Sequence, residues 1–160
     1  MIRNIKLDDA EAVCHIYNHH VLHTVVTFEE EPVGIEEMKS RIETITASYP
    51  WLVYELDGAV AAYAYASQWK VRSAYKHTVE SSIYVAEAHI GKGIGKALYT
   101  ELIGQLKGAG IHAVIGGVGL PNEASVKLHE GLGFAYIGAF RQVGYKFNNW
   151  VDVGYWQRLL

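Results

Sequence analysis

The sequence contains little cysteine, little proline and no long apolar run. Its single cysteine, Cys14, excludes a disulfide within the chain, and we therefore predict a protein of the reducing cytoplasm. No apolar stretch reaches the length that crosses a bilayer, and the first residues lead directly into patterned sequence. We expect neither a membrane partner nor a targeting segment.

Charged residues are also few, and they form no acidic or basic block. They make up 19% of the chain, and the formal net charge is −3. Nucleic-acid binding needs a basic face that neutralises phosphates, so no nucleic-acid partner is predicted, although a locally basic patch stays open. Half of the 160 residues are hydrophobic, which is ample for one packed core. A single domain over residues 1–160 is expected.

The hydrophobic periodicity alternates between the spacing of helices and that of strands. Helices are predicted from near Asp8, whose carboxylate would cap the first, and over 35–47, 94–108 and 122–130. Strands are predicted over 2–5, 51–56, 60–66, 78–85, 112–118, 136–147 and 151–159, with a basic loop over 68–76. The order β-α-α-β-β-β-α-β-α-β-β predicts an α/β domain on a mixed sheet of six to seven strands with about four helices.

The most informative motif is a glycine-rich run between a predicted strand and a predicted helix, His89-Ile90-Gly91-Lys92-Gly93-Ile94-Gly95-Lys96. A helix N-terminus attracts phosphate through unpaired N–H groups, and glycines let the backbone approach the anion. The run lacks the P-loop pattern. A dinucleotide fingerprint would need Gly or Ala at Lys96 and an acidic residue further on, where 113–118 has none. The motif thus indicates a phosphate-bearing ligand, and a tight turn without a ligand is the alternative.

Other segments give the run a family context. They are Ile16-Tyr17-Asn18-His19, Thr27-Phe28-Glu29, the strand 78–85, the segment 120–125, Gly131-Leu132-Gly133-Phe134, Val143-Gly144-Tyr145-Lys146-Phe147 and the segment 150–156. With these segments the chain resembles the GNAT N-acetyltransferase superfamily, and more narrowly the phosphinothricin and methionine sulfoximine acetyltransferases. The resemblance covers nearly the whole chain. It implies a GNAT fold whose sheet is splayed between the fourth and fifth strands.

The resemblance implies acetyl-CoA as the co-substrate and no metal. The pantetheine arm would pair with the backbone of the fourth strand, the glycine-rich loop would hold the diphosphate, and the helix after it would meet the far side of the cofactor. The residues assigned to the cofactor are Ile83, Tyr84, Val85, Ile90, Gly91, Lys92, Gly93, Ile94, Gly95, Lys96, Asn122 and Ser125. The superfamily usually has Gln or Arg where this chain has Ile90. We expect this difference, at worst, to weaken the binding of the cofactor.

Acetylation of an amine needs a base for the ammonium, a donor for the oxyanion and, in some enzymes, an acid for the thiolate. Glu80 resembles the family's base, and strand alternation puts Thr78, Glu80, Ser82 and Tyr84 on one face unless a bulge intervenes. His129 stands where many members have a tyrosine that protonates the thiolate. Tyr84 is the other candidate acid, and a backbone N–H near it is the candidate oxyanion donor. A solvated or ion-paired Glu80 and a capping His129 are the alternatives.

By the same resemblance, two loops recognise the amine. The residues assigned to the amine are Phe28, Lys70, Arg72, Ser73, Tyr75, Thr78, Glu80 and Val153, of which Arg72 can hold a carboxylate or phosphinate bidentately. The predicted reaction is acetylation of the α-amine of phosphinothricin, methionine sulfoximine or methionine sulfone. A polyamine, an aminoglycoside or a protein N-terminus as acceptor, and a CoA-binding module without turnover, are the alternatives. The family also implies a homodimer.

Three histidines on the first helix need a separate explanation. His15, His19 and His23 recur every four residues, but no acidic or cysteine ligand accompanies them at comparable spacing. We interpret them as a polar helix face, not a metal site, and Cys14 as a buried apolar residue, not a nucleophile.

Overall fold

The computed structural model describes residues 1–160 and contains seven strands in one sheet. The strands are β1 (Ile2–Asn4), β2 (Trp51–Leu56), β3 (Ala59–Gln68), β4 (Thr78–Val85), β5 (Ala113–Leu120), β6 (Ala135–Lys146) and β7 (Asn149–Leu159). They lie in the order β1-β2-β3-β4-β5-β7-β6, and only β4 and β5 are parallel neighbours. The predicted mixed sheet is confirmed.

Four helices cover the two faces of this sheet. They are α1 (Ala10–His23), α2 (Ile35–Thr46), α3 (Ile94–Gly108) and α4 (Glu123–Gly131). The apolar stripes of α1 and α2 pack with Trp51, Tyr63 and Tyr84 in one core. The stripe of α3 packs with Val79 and Val114 in a second core on the opposite face. No helix is both long and apolar enough to cross a membrane.

The sheet opens between β4 and β5, as the superfamily resemblance implies. These strands pair only from Thr78 with Ala113 to Glu80 with Ile115. Beyond that point β4 continues along β3 as far as Val85, and β5 continues along β7 as far as Leu120. The two strands therefore part in the middle of the sheet, and their facing backbone groups are left without a strand partner.

The start of the first helix differs from the sequence prediction. A turn of 3₁₀ helix at Leu7–Asp9 precedes α1, and Asp8 is exposed and caps nothing. Asp9 instead accepts the N–H of Lys6 at 2.7 Å and pairs with the guanidinium of Arg3. The predicted Asp8 cap is wrong because the neighbouring carboxylate, Asp9, is the one that pairs with the partly exposed Arg3, a contact that the local sequence does not reveal.

Two strands run further than their apolar patterns indicate. β3 extends to Gln68, which pairs with Val79, and β5 extends to Leu120, which pairs with Asp152. In both cases the last residues are held by a neighbouring strand that is distant in sequence.

Candidate active site

The gap between β4 and β5 opens into three adjoining cavities, which we call the groove, the central cavity and the outer pocket. Their volumes are about 320, 230 and 300 Å³. The groove and the central cavity share Ile83, Asn122 and Ser125, and the central cavity and the outer pocket share Glu80. Val26 lines all three. The cleft therefore runs without interruption from the glycine-rich loop to the far side of β5.

The groove ends at the N-terminus of α3, where the glycine-rich loop turns. Gly91 and Gly93 have φ angles of +80° and +78°, the left-handed region that a side chain disfavours, and Gly93 is the N-cap of α3. Lys96 also lines this end of the groove. The unpaired N–H groups of a 15-residue helix and this lysine are suited in charge and hydrogen bonding to an anion such as a diphosphate.

Three other residues of the glycine-rich loop, which the sequence prediction assigns to the cofactor, supply no polar side chain to the groove. The Ile90 side chain lines the groove but is 55% exposed, and it supplies no polar group there. Ile94 lines the groove while its side chain packs into the core beneath α3. Lys92 is exposed and does not line the groove.

The backbone of β4 presents alternate residues to the gap. The pairing of β3 with β4 is unbroken, so no bulge disturbs the alternation, and the N–H of Ala86 donates to Ala61 at 2.9 Å. In an antiparallel pair, the backbone N–H and C=O groups of every second residue point to the partner strand. Because those of Ala86 point to β3, those of Tyr84 also point to β3, and those of Ile83 and Val85 point to the gap. This corrects the expectation that Tyr84 also offers its backbone to a ligand in the cleft.

Glu80 lies where the three-residue pairing of β4 and β5 ends, at the junction of the central cavity and the outer pocket. Burial raises the pKa of its carboxyl, and the charge of Lys70 partly opposes that shift. Glu80 forms none of the ion pairs in the chain. One carboxylate oxygen lies 3.4 Å from where a Cβ on Gly117 would be. A half-buried carboxylate without a partner is suited to accept a proton.

Tyr84 lines the central cavity, but its ring belongs to the core beneath α1. The ring centroid lies 5.2 Å from that of Tyr17 and 5.1 Å from that of Tyr63. Burial holds the pKa of its hydroxyl well above the usual value, and the nearby Thr27 side chain only partly opposes that shift. These surroundings make Tyr84 a poor proton donor to the cleft.

His129 is 3% exposed and lies at the end of a buried chain of hydrogen bonds. Its Nδ1 is 2.7 Å from the carbonyl oxygen of Ser125, so Nδ1 carries the proton and donates it there. Nε2 is then left to accept from the hydroxyl of Tyr99 at 3.3 Å, and that oxygen lies 2.5 Å from Ser81 Oγ. Burial lowers the pKa of His129, so the imidazole is neutral near pH 7.

The outer pocket contains two of the residues assigned to the amine besides Glu80, namely Phe28 and Val153. The sequence prediction missed its other lining residues, which are Val25, Val26, Gly117, Gly119, Val143 and Tyr155. The two glycines carry a signal that could have been used. A glycine weakens a strand, and several in one strand often mark a close approach of another group.

The remaining residues assigned to the amine do not line the cleft of this chain. Lys70 lies over the Trp69 ring at 4.8 Å, and Trp69 contacts Tyr155 at a centroid distance of 6.0 Å. Arg72 and the turn Ser73–Tyr75 are exposed beyond it. Thr78 lies at the paired end of β4, outside all three cavities. The roles of Lys70, Arg72, Ser73, Tyr75 and Thr78 stay predictions.

The histidines of α1 are close to one another without forming a ligand set. The rings of His19 and His23 are 5.1 Å apart, and His20 turns inward to Val85. The chain contains no group of three or more His, Cys, Asp and Glu side chains that could hold a metal ion. Cys14 is buried, and its thiol donates to the carbonyl of Val33.

Known proteins are similar to this chain in both sequence and structure. Residues 2–154 match the acetyltransferase (GNAT) domain family. A phosphinothricin N-acetyltransferase of Streptomyces viridochromogenes is 45% identical over 98% of this chain and 86% of its own length. A methionine sulfoximine and methionine sulfone acetyltransferase of Salmonella typhimurium is 37% identical over 98% and 92%. The crystal structure of a phosphinothricin acetyltransferase of Sinorhizobium meliloti with acetyl-CoA aligns with a TM-score of 0.97 at 40% identity, covering 100% of this chain and 88% of that one.

Proposed function

The chain belongs to the GNAT acetyltransferase family, and from that premise we propose that it acetylates the α-amine of a small amino-acid analogue. It is an N-acetyltransferase that uses acetyl-CoA. The acceptors that we propose are phosphinothricin, methionine sulfoximine and methionine sulfone, which stand in the names of its relatives.

The observation that carries this proposal is the position of Glu80. It is a partly buried carboxylate without an ion pair, and it lies between a groove that ends in an anion site and a small pocket on the other side. An α-amine is mostly protonated at neutral pH, so a base at this junction is what the reaction requires. Such a carboxylate also argues against a binding module without turnover.

We assign the cofactor to the groove on the chemistry of its lining. The backbones of Ile83 and Val85 would pair with the pantetheine arm, as an added strand does, and the N-terminus of α3 with Lys96 would hold the diphosphate. When bound, acetyl-CoA supplies an acetyl group activated as a thioester. A backbone N–H of β4 that faces the gap would meet the developing negative charge, and Ile83 and Val85 are the residues with such a group.

We assign the amine to the outer pocket. Glu80 would take the proton of the ammonium, directly or through one water, while Phe28, Val153 and Tyr155 would enclose the carbon chain. Lys70, whose charge partly opposes the rise in the pKa of Glu80, brings positive charge to the same side. That charge favours an acceptor with a carboxylate or phosphinate over a polycation, which would need an acidic pocket.

The test is a thiol-release assay with acetyl-CoA across a panel of amines. We expect turnover with the three amino-acid analogues and little with spermidine, an aminoglycoside or a peptide with a free N-terminus. Turnover confined to the polyamine, the aminoglycoside or the peptide would refute the proposed acceptor class. Reactions without enzyme and reactions without the amine serve as the blanks.

A further inference from the structure

Lys146, the last residue of β6, is a buried lysine that the reaction above does not use. Its side chain is 2% exposed and forms no ion pair with a carboxylate. The ammonium instead donates to the carbonyl oxygens of Thr24 and Thr27, each at 2.8 Å, and approaches that of His20 at 3.5 Å. It also lies 5.0 Å from the centre of the Phe147 ring. A buried charge is tolerated only where hydrogen bonds replace its water, and three backbone oxygens do so here.

The carbonyls that Lys146 binds belong to the loop that forms a wall of the cleft. This loop, residues 24–28, follows α1 and has no regular secondary structure. No other hydrogen bond of the chain reaches the carbonyls of Thr24 and Thr27. Between and beside them, Val25, Val26 and Phe28 line the outer pocket. The same short segment therefore supplies both the acceptors of the buried ammonium and one wall of the pocket.

The loop lies against bare backbone on two sides. A Cβ on Gly119 of β5 would come within 2.7 Å of the Val25 carbonyl oxygen, and one on Gly144 of β6 would come within 2.4 Å of the Phe28 ring. Both distances are far below van der Waals contact. The Val25 carbonyl is backbone, so the loop can lie this close to β5 only because residue 119 is glycine, and the Phe28 ring takes its observed place over β6 because residue 144 is glycine. Lys146 comes from the same strand as Gly144 and holds the loop by its carbonyls from that side.

We propose that Lys146 is a positioning residue that sets the place of the 24–28 loop and, through Phe28, the affinity of the enzyme for its amine. The inference rests on the proposed function for its assignment of the amine to the outer pocket. Three N–H donors diverge from one nitrogen, so a single side chain can hold carbonyls at both ends of the loop. An apolar side chain of similar length would fill the space but leave two buried carbonyls unpaired.

The experiment compares Lys146→Met with Lys107→Met, which removes the same charge from the exposed end of α3. Hydrogen exchange measured by mass spectrometry reports the loop without any substrate. We expect faster exchange in peptides covering residues 24–28 for Lys146→Met only. We also expect the KM for the amine to rise about tenfold, while the KM for acetyl-CoA changes by less than about threefold, from the loss of hydrogen bonds to a charged donor. If Lys146→Met does not fold, Lys146→Gln, which keeps two N–H donors, takes its place with a smaller rise expected.

A double-mutant cycle with Phe28→Ala distinguishes positioning from a general loss of stability. If Lys146 acts through Phe28, adding Lys146→Met to Phe28→Ala raises the KM for the amine little further, whereas independent effects multiply. Unchanged exchange in the loop, an unchanged KM for the amine, or multiplying effects would each overturn the proposal. Failure of the proposed function looks different, because the wild-type enzyme would then turn over none of the three analogues, while the exchange of the loop would still report the contact of Lys146.

Discussion

At the scale of single residues, burial changes the pKa values of two ionisable groups of the cleft in opposite directions. It raises the pKa of Glu80 and lowers that of His129. In both cases the neutral form is favoured, because a group removed from water loses the hydration of its charge. The consequence differs, however, since a carboxyl with a raised pKa becomes a better base, while a neutral imidazole has no extra proton to release.

Glu80→Gln tests the base directly. We expect kcat/KM at neutral pH to fall about 100-fold to 10,000-fold, the usual contribution of a general base. In the wild type the rate should rise with pH through the raised pKa of Glu80, and this limb should be absent from the variant. Glu87→Gln, on an exposed carboxylate outside the central cavity and the outer pocket, is the control and should leave the profile unchanged. An unaltered rate at neutral pH would remove Glu80 from this role.

The same substitution has an expected effect on stability. A carboxyl whose pKa is raised in the folded state contributes stability that is full below its unfolded pKa and is lost as the pH rises through its folded pKa. At neutral pH the ionised Glu80 is therefore unfavourable for folding. We expect the melting temperature of Glu80→Gln at pH 7 to equal or exceed that of the wild type by calorimetry. A clear decrease would show that the carboxylate has a stabilising partner.

His129→Gln tests whether the imidazole protonates the departing thiolate. The neutral ring donates through Nδ1 to Ser125 and accepts through Nε2 from Tyr99, so it holds no proton for the cleft. Coenzyme A is a tolerable leaving group without assistance. We expect kcat to fall less than about tenfold, well short of the loss of a general acid or base. A loss of kcat as large as that of Glu80→Gln, in a variant that melts like the wild type, would assign the proton to His129.

At the scale of elements, glycines have opposite uses in α3 and at its N-terminus. Gly93 adopts a left-handed conformation where the backbone turns into the helix. Gly104 lies in the exposed middle of the same helix, with nothing within 4 Å of where its Cβ would be and no positive φ. The first position requires glycine, and the second only tolerates it.

Two alanine substitutions, one at the N-cap of α3 and one in its middle, separate these uses. For Gly93→Ala we expect a cost of about 1–2 kcal/mol for the left-handed conformation, together with a raised KM for acetyl-CoA as the loop moves. For Gly104→Ala we expect the free energy of unfolding to increase by about 1 kcal/mol with unchanged kinetics. Denaturant titration and steady-state kinetics on both variants measure the two effects. Equal KM values for acetyl-CoA in Gly93→Ala and the wild type would contradict the role of the loop.

At the scale of the whole molecule, the two edges of the sheet differ. β1 is a short edge strand of three residues, whereas β6 is an edge strand of 12 residues. Large apolar side chains are at least half exposed along β6, in the turn after it and at the start of β7, namely Tyr136, Ile137, Phe140, Val143, Tyr145, Phe147 and Trp150. A long apolar edge is a surface that proteins normally cover, and it supports the homodimer that the family resemblance implies.

Light scattering coupled to size exclusion checks the homodimer. We expect twice the chain mass of 17.8 kDa for the wild type. A double variant with Ile137→Lys and Trp150→Glu places charge on that surface and should give the monomer mass, whereas Leu22→Glu on the exposed side of α1 should not. A wild type that elutes as a monomer at micromolar concentration would refute the prediction.

The sequence by itself determined the fold class, the order of the elements and the location of the glycine-rich loop before α3. Each of these depends on local chemistry, such as the 3.6-residue period of α3 or the glycines before it, so nearby residues suffice to predict it. The face of β4 on which Glu80 lies followed from strand alternation in the sequence. The unbroken pairing of β3 with β4 supplied the one condition of that prediction, the absence of a bulge. The family resemblance supplied the roles that these residues are expected to have.

Only the tertiary structure decided what surrounds each of these residues. The sheet opens after Glu80, the ring of Tyr84 packs against the rings of Tyr17 and Tyr63, and His129 meets Tyr99 from another helix. Lys146 reaches carbonyls more than a hundred residues away along the chain. Burial, proton position and ion pairing depend on contacts between segments that are distant in sequence. Residue type and spacing therefore identified the groups of the cleft, and their protonation and orientation were set by the packing of the folded chain.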